Sequence, residues 1–102
     1  MMAMHYEPDG RRLRIRGACC TDDRDAVREM LDRSAHRADE HLIVDLTAVT
    51  DLDPWTASDL VAAAHRLRGA GRTIVLVRKH GTSVDDALRA AEHACVSAGR
   101  AS

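Results

Sequence analysis

The sequence predicts an α/β fold with a mixed sheet of four strands packed by about three helices, mostly on one face, in the order ββαβαβα. Two apolar runs without alternation, Leu42 to Val44 and Ile74 to Val77, are separated by a helical pattern. Unbroken apolar runs are typical of strands covered on both faces. A strand, a helix and a second strand form a βαβ unit, whose crossover is almost always right-handed. An alternating hairpin near the start of the chain supplies the remaining two strands.

The predicted hairpin joins a strand at Met4 to Glu7 to a second strand at Arg12 to Arg16 through the turn Pro8-Asp9-Gly10. In the second strand apolar residues alternate with arginines, which predicts one dry and one solvated face. Gly17 to Thr21 is a predicted break.

The first helix is predicted to start after Thr21 or Asp22, both of which are good N-cap residues. Its apolar stripe should lie against the sheet. The residues at helical spacing are Val27, Met30, Leu31, Ser34 and Ala38.

The central strand, His41 to Thr47, is followed by a predicted loop closed by Asp51 and Asp53. Asp53 is a good N-cap, and Pro54 suits the first helical position because it has no N–H to satisfy there. This strand-to-helix junction lies at the carboxyl end of a parallel strand, where open α/β folds usually place a ligand or partner surface.

The second helix should end at Gly69 and Gly71, since glycine commonly terminates helices. The strand Arg72 to Val77 follows. A last helix capped by Thr82 or Ser83 then leads to a predicted frayed tail at Gly99 to Ser102.

Length and composition predict a single domain over residues 1–102, since 45% of the residues are hydrophobic and 30% are charged. The formal net charge is −1, with 15 basic and 16 acidic residues interspersed. Without a basic stripe, nucleic-acid binding is not expected.

Cellular location is predicted from what the sequence lacks. No apolar run approaches the roughly 20 residues that span a bilayer, and the start has no signal-peptide pattern. We therefore expect a cytoplasmic protein without direct membrane insertion. Its three cysteines, Cys19, Cys20 and Cys95, do not form a disulfide framework and are expected to be reduced thiols.

Three carboxylates near the junction, Asp45, Asp51 and Asp53, are a candidate magnesium site of the kind found in receiver domains. A receiver also needs an acidic pair after its first strand, where this chain has Gly17-Ala18-Cys19-Cys20. Capping and turn roles are favoured, and no metal is predicted.

A candidate anion site is formed by Lys79, Thr82 and Ser83, where a strand leads into the start of a helix. The alternative is an ordinary capped turn. The segment Gly69 to Thr73 resembles a phosphate loop but runs from helix to strand, so it is interpreted as a helix end.

An enzymatic function is not predicted. The six histidines show no i, i+4 pair and no cysteine partner at metal spacing, and Cys20 has no evident local base. No nucleophile, base and orienting group are brought together, and no cofactor is expected.

Trp55 is the most informative single residue, because it is a lone large aromatic in the first turn of a helix. Such a residue is either a lid over the edge of the sheet or a hydrophobic anchor for a partner. Both interpretations stay open at the sequence level.

The chain resembles the STAS family, the domain of sulfate transporters and anti-sigma-factor antagonists. Val44-Asp45-Leu46-Thr47 matches the family's strand end, and Val49 to Asp53 matches the turn. Leu60 to Leu67 matches the helix, and Gly69 to Val77 matches the exit and last strand. Upstream, Leu13 to Gly17 resembles the family's second strand and its glycine, so the resemblance covers about Leu13 to Leu88.

The sequence departs from the family at the functional centre. In the antagonist branch, the second serine after the aspartate is phosphorylated by a partner anti-sigma kinase, and Trp55 occupies that position here. Pro54 replaces the first serine and Thr56 the following glycine. Thr56 and Ser58 are the alternative candidate phosphoacceptors.

The resemblance implies a non-enzymatic interaction module of the anti-sigma-factor-antagonist type, a regulator of bacterial transcription whose partner is an anti-sigma factor with a histidine-kinase-like ATPase fold. The expected contact surface comprises Asp51, Asp53, Trp55, Thr56, Ser58 and Asp59, without the standard serine phospho-switch. Two alternatives are a small cytoplasmic subunit of a lipid-transporting ABC system and an anion- or nucleotide-sensing module.

Overall fold

The computed structural model describes the backbone of residues 2–101 and the side chains of residues 2–95. It confirms the predicted element order ββαβαβα. The strands are β1 (Ala3–Glu7), β2 (Arg12–Cys19), β3 (His41–Leu52) and β4 (Thr73–Val77). The helices are α1 (Arg24–Ala38), α2 (Pro54–Gly69) and α3 (Ser83–Ala101), and a 3₁₀ turn at Thr21–Asp23 precedes α1.

The four strands lie side by side in chain order. β1 is antiparallel to β2, whereas β2, β3 and β4 are mutually parallel. The two crossovers, through α1 and α2, advance in the same direction across the sheet. Right-handed crossovers that advance in one direction place their helices on the same face.

The core lies between this face and the helices. Along the regular parts of the strands, alternate residues face the helices and are buried, including Leu13, Ile15, Leu42, Val44, Leu46, Ile74 and Leu76. The helices contribute residues such as Val27 and Leu31 from α1, Leu60 and Ala64 from α2, and Val84 and Leu88 from α3. With no Phe in the chain, aliphatic side chains fill almost the whole core.

The opposite face of the sheet is open, so the prediction that both faces of the parallel strands are covered is wrong. Val75 is 47% exposed, and Ile43, its neighbour across β3 and β4, is only partly buried. In this chain an unbroken apolar run therefore does not indicate a strand buried on both faces, because both crossover helices lie on one face.

The two central strands extend further than predicted. β2 continues through the predicted break to Cys19, which pairs with Leu52 at the end of β3. Gly17 has a positive φ of 87° next to a register shift in β2. Because β3 continues to Leu52, the prediction of a loop before Asp53 is wrong. Bulges shift the pleat, and this irregularity hides the continued strand from a period-two pattern.

The starts of α2 and α3 match the predicted caps, but the start of α1 does not. The predicted caps Thr21 and Asp22 lie in the 3₁₀ turn, and α1 begins only at Arg24, because the Thr21 hydroxyl donates to Asp53 instead of capping α1. α2 begins after Asp53 and is followed by Gly71, which has a positive φ of 82°. α3 begins directly after Thr82 and continues through Ala101. The tail predicted from Gly99 is therefore helical to Ala101, and Ser102 lies outside the described residues.

Candidate functional site

The junction between β3 and α2 is built around the carboxylate of Asp53, which caps α2. Its Oδ2 accepts a hydrogen bond from the Thr56 amide at 3.0 Å, and its Oδ1 accepts one from the Thr21 hydroxyl at 2.9 Å. The amide of Asp53 donates to the carbonyl of Cys19 at 3.1 Å. One side chain therefore fixes the start of α2 to the 3₁₀ turn that follows β2.

The environment of Asp53 favours its charged form. Burial alone would raise the pKa of this carboxyl, but hydrogen bonds from the Thr56 amide and from the Thr21 and Thr56 hydroxyls outweigh it. The net effect holds the pKa of Asp53 below its ordinary value. Asp53 is therefore a charged helix cap at neutral pH, and a role as a proton donor is disfavoured.

Trp55 projects from the first turn of α2 and is 63% exposed. The guanidinium of Arg24, at the start of α1, lies 6.0 Å from the centroid of the indole ring. Arg24 also forms a two-pronged ion pair with Asp59, through Nε to Oδ2 at 2.8 Å and Nη2 to Oδ1 at 3.1 Å. An exposure of this size excludes the lid interpretation of Trp55.

The other predicted contact residues occupy different environments. Thr56 is fully buried at 0% exposure, and its hydroxyl donates to Asp53 at 3.3 Å. Asp51 and Ser58 are exposed, and Asp59 is held by Arg24. The structure thus brings Asp53, Trp55 and Asp59 into one cluster, which we call the junction cluster together with Thr21 and Arg24.

Thr21 and Arg24 are the members of the junction cluster that sequence reasoning missed. They follow β2, whereas the predicted site follows β3. Because the carboxyl ends of neighbouring parallel strands meet at one edge of the sheet, the segment after β2 was a candidate neighbour of the junction. The sequence does not show which of its side chains faces Asp53 and Asp59.

The start of α3 holds the predicted anion site, and several of its polar groups are hydrogen-bonded within the chain. The Thr82 hydroxyl donates to the carbonyl of Lys79 at 2.8 Å and accepts from the amide of Asp85 at 3.2 Å. The amide of Gly81 donates to Asp85 Oδ2 at 3.1 Å. Lys79 and Ser83 are exposed. Asp85 therefore takes an N–H group that a bound anion would use.

Asp85 is buried, with a relative exposure of 3%. The hydrogen bond from the Gly81 amide, followed by that from Arg78 at 3.0 Å, lowers the pKa of Asp85 below its ordinary value. Arg78 also binds Glu92 at 2.7 Å. An anion at Lys79, Thr82 and Ser83 would have to displace Asp85 or bind outside it, and this site stays a prediction.

Two of the three carboxylates considered for magnesium, Asp45 and Asp53, are held by separate partners, and Asp51 is exposed. Asp45 accepts hydrogen bonds from the Thr47 amide and hydroxyl and pairs with Arg12 at 3.3 Å. Burial acts to raise the pKa of Asp45, but these partners lower it overall. Among the described residues, no three His, Cys, Asp or Glu side chains gather as metal ligands would.

The cysteine at the end of β2 is poorly suited to nucleophilic chemistry. Cys19 is buried, and desolvation, with a smaller contribution from the nearby Asp23, raises the pKa of its thiol to about 11. Since the thiolate is the reactive form, Cys19 is inert at neutral pH. Its neighbour Cys20 is exposed.

The model of the STAS domain family matches residues 4–95, a span that includes at least part of every strand and helix. No curated protein matches the chain. No helix within the described residues is long and apolar enough to cross a membrane. STAS domains are regulatory and interaction modules of the anti-sigma-factor-antagonist superfamily and are generally non-enzymatic.

Proposed function

The chain belongs to the STAS domain family, and we propose that it is a cytoplasmic, non-enzymatic regulator of bacterial transcription that binds an anti-sigma factor or a related histidine-kinase-like ATPase. It would do so without the standard serine phospho-switch. The observation that carries this proposal is the exposed Trp55 at the position where the antagonist branch carries its switch serine.

Trp55 has the properties of an interface anchor. Among the described residues, the exposed large hydrophobic side chains are Trp55, at 63%, and Val75, at 47%. Tryptophan is enriched among the residues that dominate binding energy, because it removes a large apolar area from water at a low entropic cost. The proposed contact surface extends from Trp55 to the neighbouring exposed residues Asp51 and Ser58.

The junction cluster also holds Trp55 in a prepared position. The Asp53 cap fixes the first turn of α2, and Arg24 is fixed by its two hydrogen bonds to Asp59 while it lies near the indole ring. A side chain ordered before binding costs less entropy to immobilise at the interface. The cluster therefore supports binding without a large rearrangement.

The loss of the phospho-switch follows from chemistry and burial. An indole ring cannot accept phosphate. Of the two remaining hydroxyls, that of Thr56 is fully buried and bonded to Asp53, whereas Ser58 is exposed. Ser58 is therefore the better candidate acceptor, but it lies one turn further along α2 than the family's switch position.

Incubation with ATP and candidate anti-sigma kinases, followed by intact-mass measurement, tests this part of the proposal. We expect no stoichiometric phosphorylation. A clean single-phosphate product would contradict the loss of the switch, and its absence in a Ser58→Ala variant would place that phosphate on Ser58.

The binding surface is tested with a matched pair of variants, Trp55→Ala and Val75→Ala. Both remove an exposed hydrophobic side chain, but Val75 lies on the open face of the sheet. Truncation of a tryptophan anchor typically costs 2 kcal/mol or more, which is about a 30-fold loss of affinity. We expect this loss for Trp55→Ala alone, and equal affinity of both variants for the partner would contradict the assigned surface.

The partner class is tested by pull-down from the native cell. Recovery of an anti-sigma factor supports the proposal. Recovery of the ATPase of a lipid-transporting ABC system would favour the alternative of a small STAS subunit. A thermal shift with phosphate or nucleotides that is lost in Lys79→Ala would favour a sensor instead.

A further inference from the structure

The two edge strands of the sheet, β4 and β1, differ in how their outward-facing backbone groups are covered. On β4, the carbonyls of Ile74 and Leu76 are occupied by the guanidinium groups of Arg68, at 3.0 Å, and Arg78, at 3.2 Å. Charged side chains over an edge strand block its pairing with another chain. The β4 edge is therefore closed to a further strand.

The orientation of β2 determines which groups are free on the other edge. The amide of Ile43 in β3 donates to the carbonyl of Arg11 at 2.9 Å, so the residue just before β2 faces β3. The backbone groups of successive strand residues point to alternate sides. Those of Arg12 and Arg14 therefore face β1.

In β1, the residues opposite Arg12 and Arg14 are Glu7 and His5. The N–H and C=O groups of the intervening Met4 and Tyr6 therefore point away from the sheet. Because β1 is an edge strand, these four groups have no backbone partner among the described residues. In contrast to β4, no described side chain covers them.

A cleft with a volume of about 720 Å³ adjoins this free edge, between β1 and α1. Its apolar lining comes from Met4, Tyr6 and Met30. Ser34 also lines the cleft, is only 1% exposed, and has a hydroxyl without a hydrogen-bond partner among the described residues. The cleft thus offers an apolar surface with unsatisfied polar groups beside it.

The charged residues of the cleft give it a positive character. Its Asp32 pairs with Arg66 at 3.3 Å, and its Arg33 pairs with Glu29 at 2.9 Å. The guanidinium of Arg37 lies 5.0 Å from the ring centroid of Tyr6, and no described carboxylate is within ion-pair distance of it. Arg37 therefore favours an acidic ligand group.

We propose that the free edge of β1 and this cleft bind an extended acidic segment of a partner protein, which adds to the sheet as a fifth strand. The backbone of the segment pairs with Met4 and Tyr6, its alternate apolar side chains enter the cleft, and a carboxylate lies beside Arg37. Strand addition supplies main-chain hydrogen bonds for affinity and side-chain pockets for specificity.

Two other occupants fit less well. A fatty acid would fill the apolar cleft but leave the N–H and C=O groups of Met4 and Tyr6 unpaired. A second copy of the chain would form a two-fold interface that places one cationic cleft against another. The alternation of free donors and acceptors at every second residue, about 6.8 Å apart, matches an extended peptide.

Selection from a library of random nine-residue peptides tests the proposal on the full chain. We expect enrichment of sequences in which every second residue is apolar and one residue of that same alternate set is acidic, because side chains two residues apart point to the same face of a strand. On addition of a selected peptide, the amides of Met4 and Tyr6 should exchange with solvent at least tenfold more slowly. Protection of other amides instead, or protection of these amides by oleate or by raising the protein concentration alone, would overturn the proposal.

Matched charge reversals on α1 complete the test. Arg37→Glu should weaken binding of an acidic peptide at least tenfold. Arg28→Glu, nine residues earlier and about half a turn around the helix, should leave it unchanged. Trp55→Ala should also leave it unchanged, which separates this surface from the proposed anti-sigma-factor contact. Equal effects of the two arginine variants, in proteins with unchanged circular dichroism, would overturn the assignment.

Discussion

The starts of α2 and α3 are two versions of the same feature, a helix that follows the carboxyl end of a parallel strand. At α2, Asp53 caps the helix and Trp55 is left 63% exposed. At α3, the buried Asp85 folds back onto the Gly81 amide and is held by Arg78. The first arrangement leaves a large aromatic side chain exposed, whereas the second directs its carboxylate into hydrogen bonds within the fold.

This difference shows that position in an α/β fold does not assign function by itself. Both helix starts lie at the edge of the sheet where ligand sites are expected. Which helix start is available to a ligand or partner depends on the side chains that remain exposed or lack a hydrogen-bond partner. By that criterion we propose the start of α2, rather than the start of α3, as the interaction surface.

The largest expected effect is the loss of Arg78. Arg78→Met removes the hydrogen bond from Arg78 to the buried Asp85, and removal of a hydrogen bond to a charged group costs about 1.5–3 kcal/mol. We expect a decrease of that size in the free energy of unfolding measured in urea.

The control for Arg78→Met is Arg33→Met. It removes an exposed i, i+4 pair with Glu29, which typically contributes about 0.3–0.5 kcal/mol. Similar decreases in the free energy of unfolding for the two variants would show that Arg78 stabilises the start of α3 no more than an exposed ion pair stabilises a helix.

An intermediate effect is expected at the start of α2. Asp53→Ala removes the helix cap and the link to Thr21, and loss of an N-cap should lower the melting temperature by about 4–8 °C. Asp51→Ala, an exposed change two residues earlier, is the control and should shift it little. A negligible shift for Asp53→Ala in differential scanning calorimetry would show that the cap does not hold the junction.

The smallest expected effect is a difference in acid sensitivity. The pKa values of Asp53 and Asp85 are both lowered in the folded chain. Each therefore contributes stability that is present above the ordinary aspartate pKa of about 3.9 and is lost as the pH falls through its lower folded value.

Asp53→Asn and Asp85→Asn each remove one of these titrating groups. The free energy of unfolding of each variant should therefore decrease less steeply between about pH 5 and pH 3 than that of the unchanged protein. Asp53→Asn keeps a capping side chain, so its stability at pH 7 should stay closer to that of the unchanged protein. Urea unfolding across this range measures both effects. Curves parallel to that of the unchanged protein would contradict the assigned charge states.

The fold was largely predictable from the sequence. The apolar runs at Leu42 and Ile74, the alternating hairpin and the helix caps Asp53 and Thr82 depend on local chemistry, so they identify the elements and their order. The exposed hydroxyl of Ser58 and the buried one of Thr56 were not distinguished, because neighbouring helical positions differ in burial only once the helix is packed.

The sequence by itself determined the element order and the start of α2, because both depend on residues that are close along the chain. The tertiary structure alone decided that β2 and β3 continue to Cys19 and Leu52. It also decided that Arg24 and Thr21 join the junction cluster. These features depend on strand register and contacts between distant residues, which local patterns do not encode.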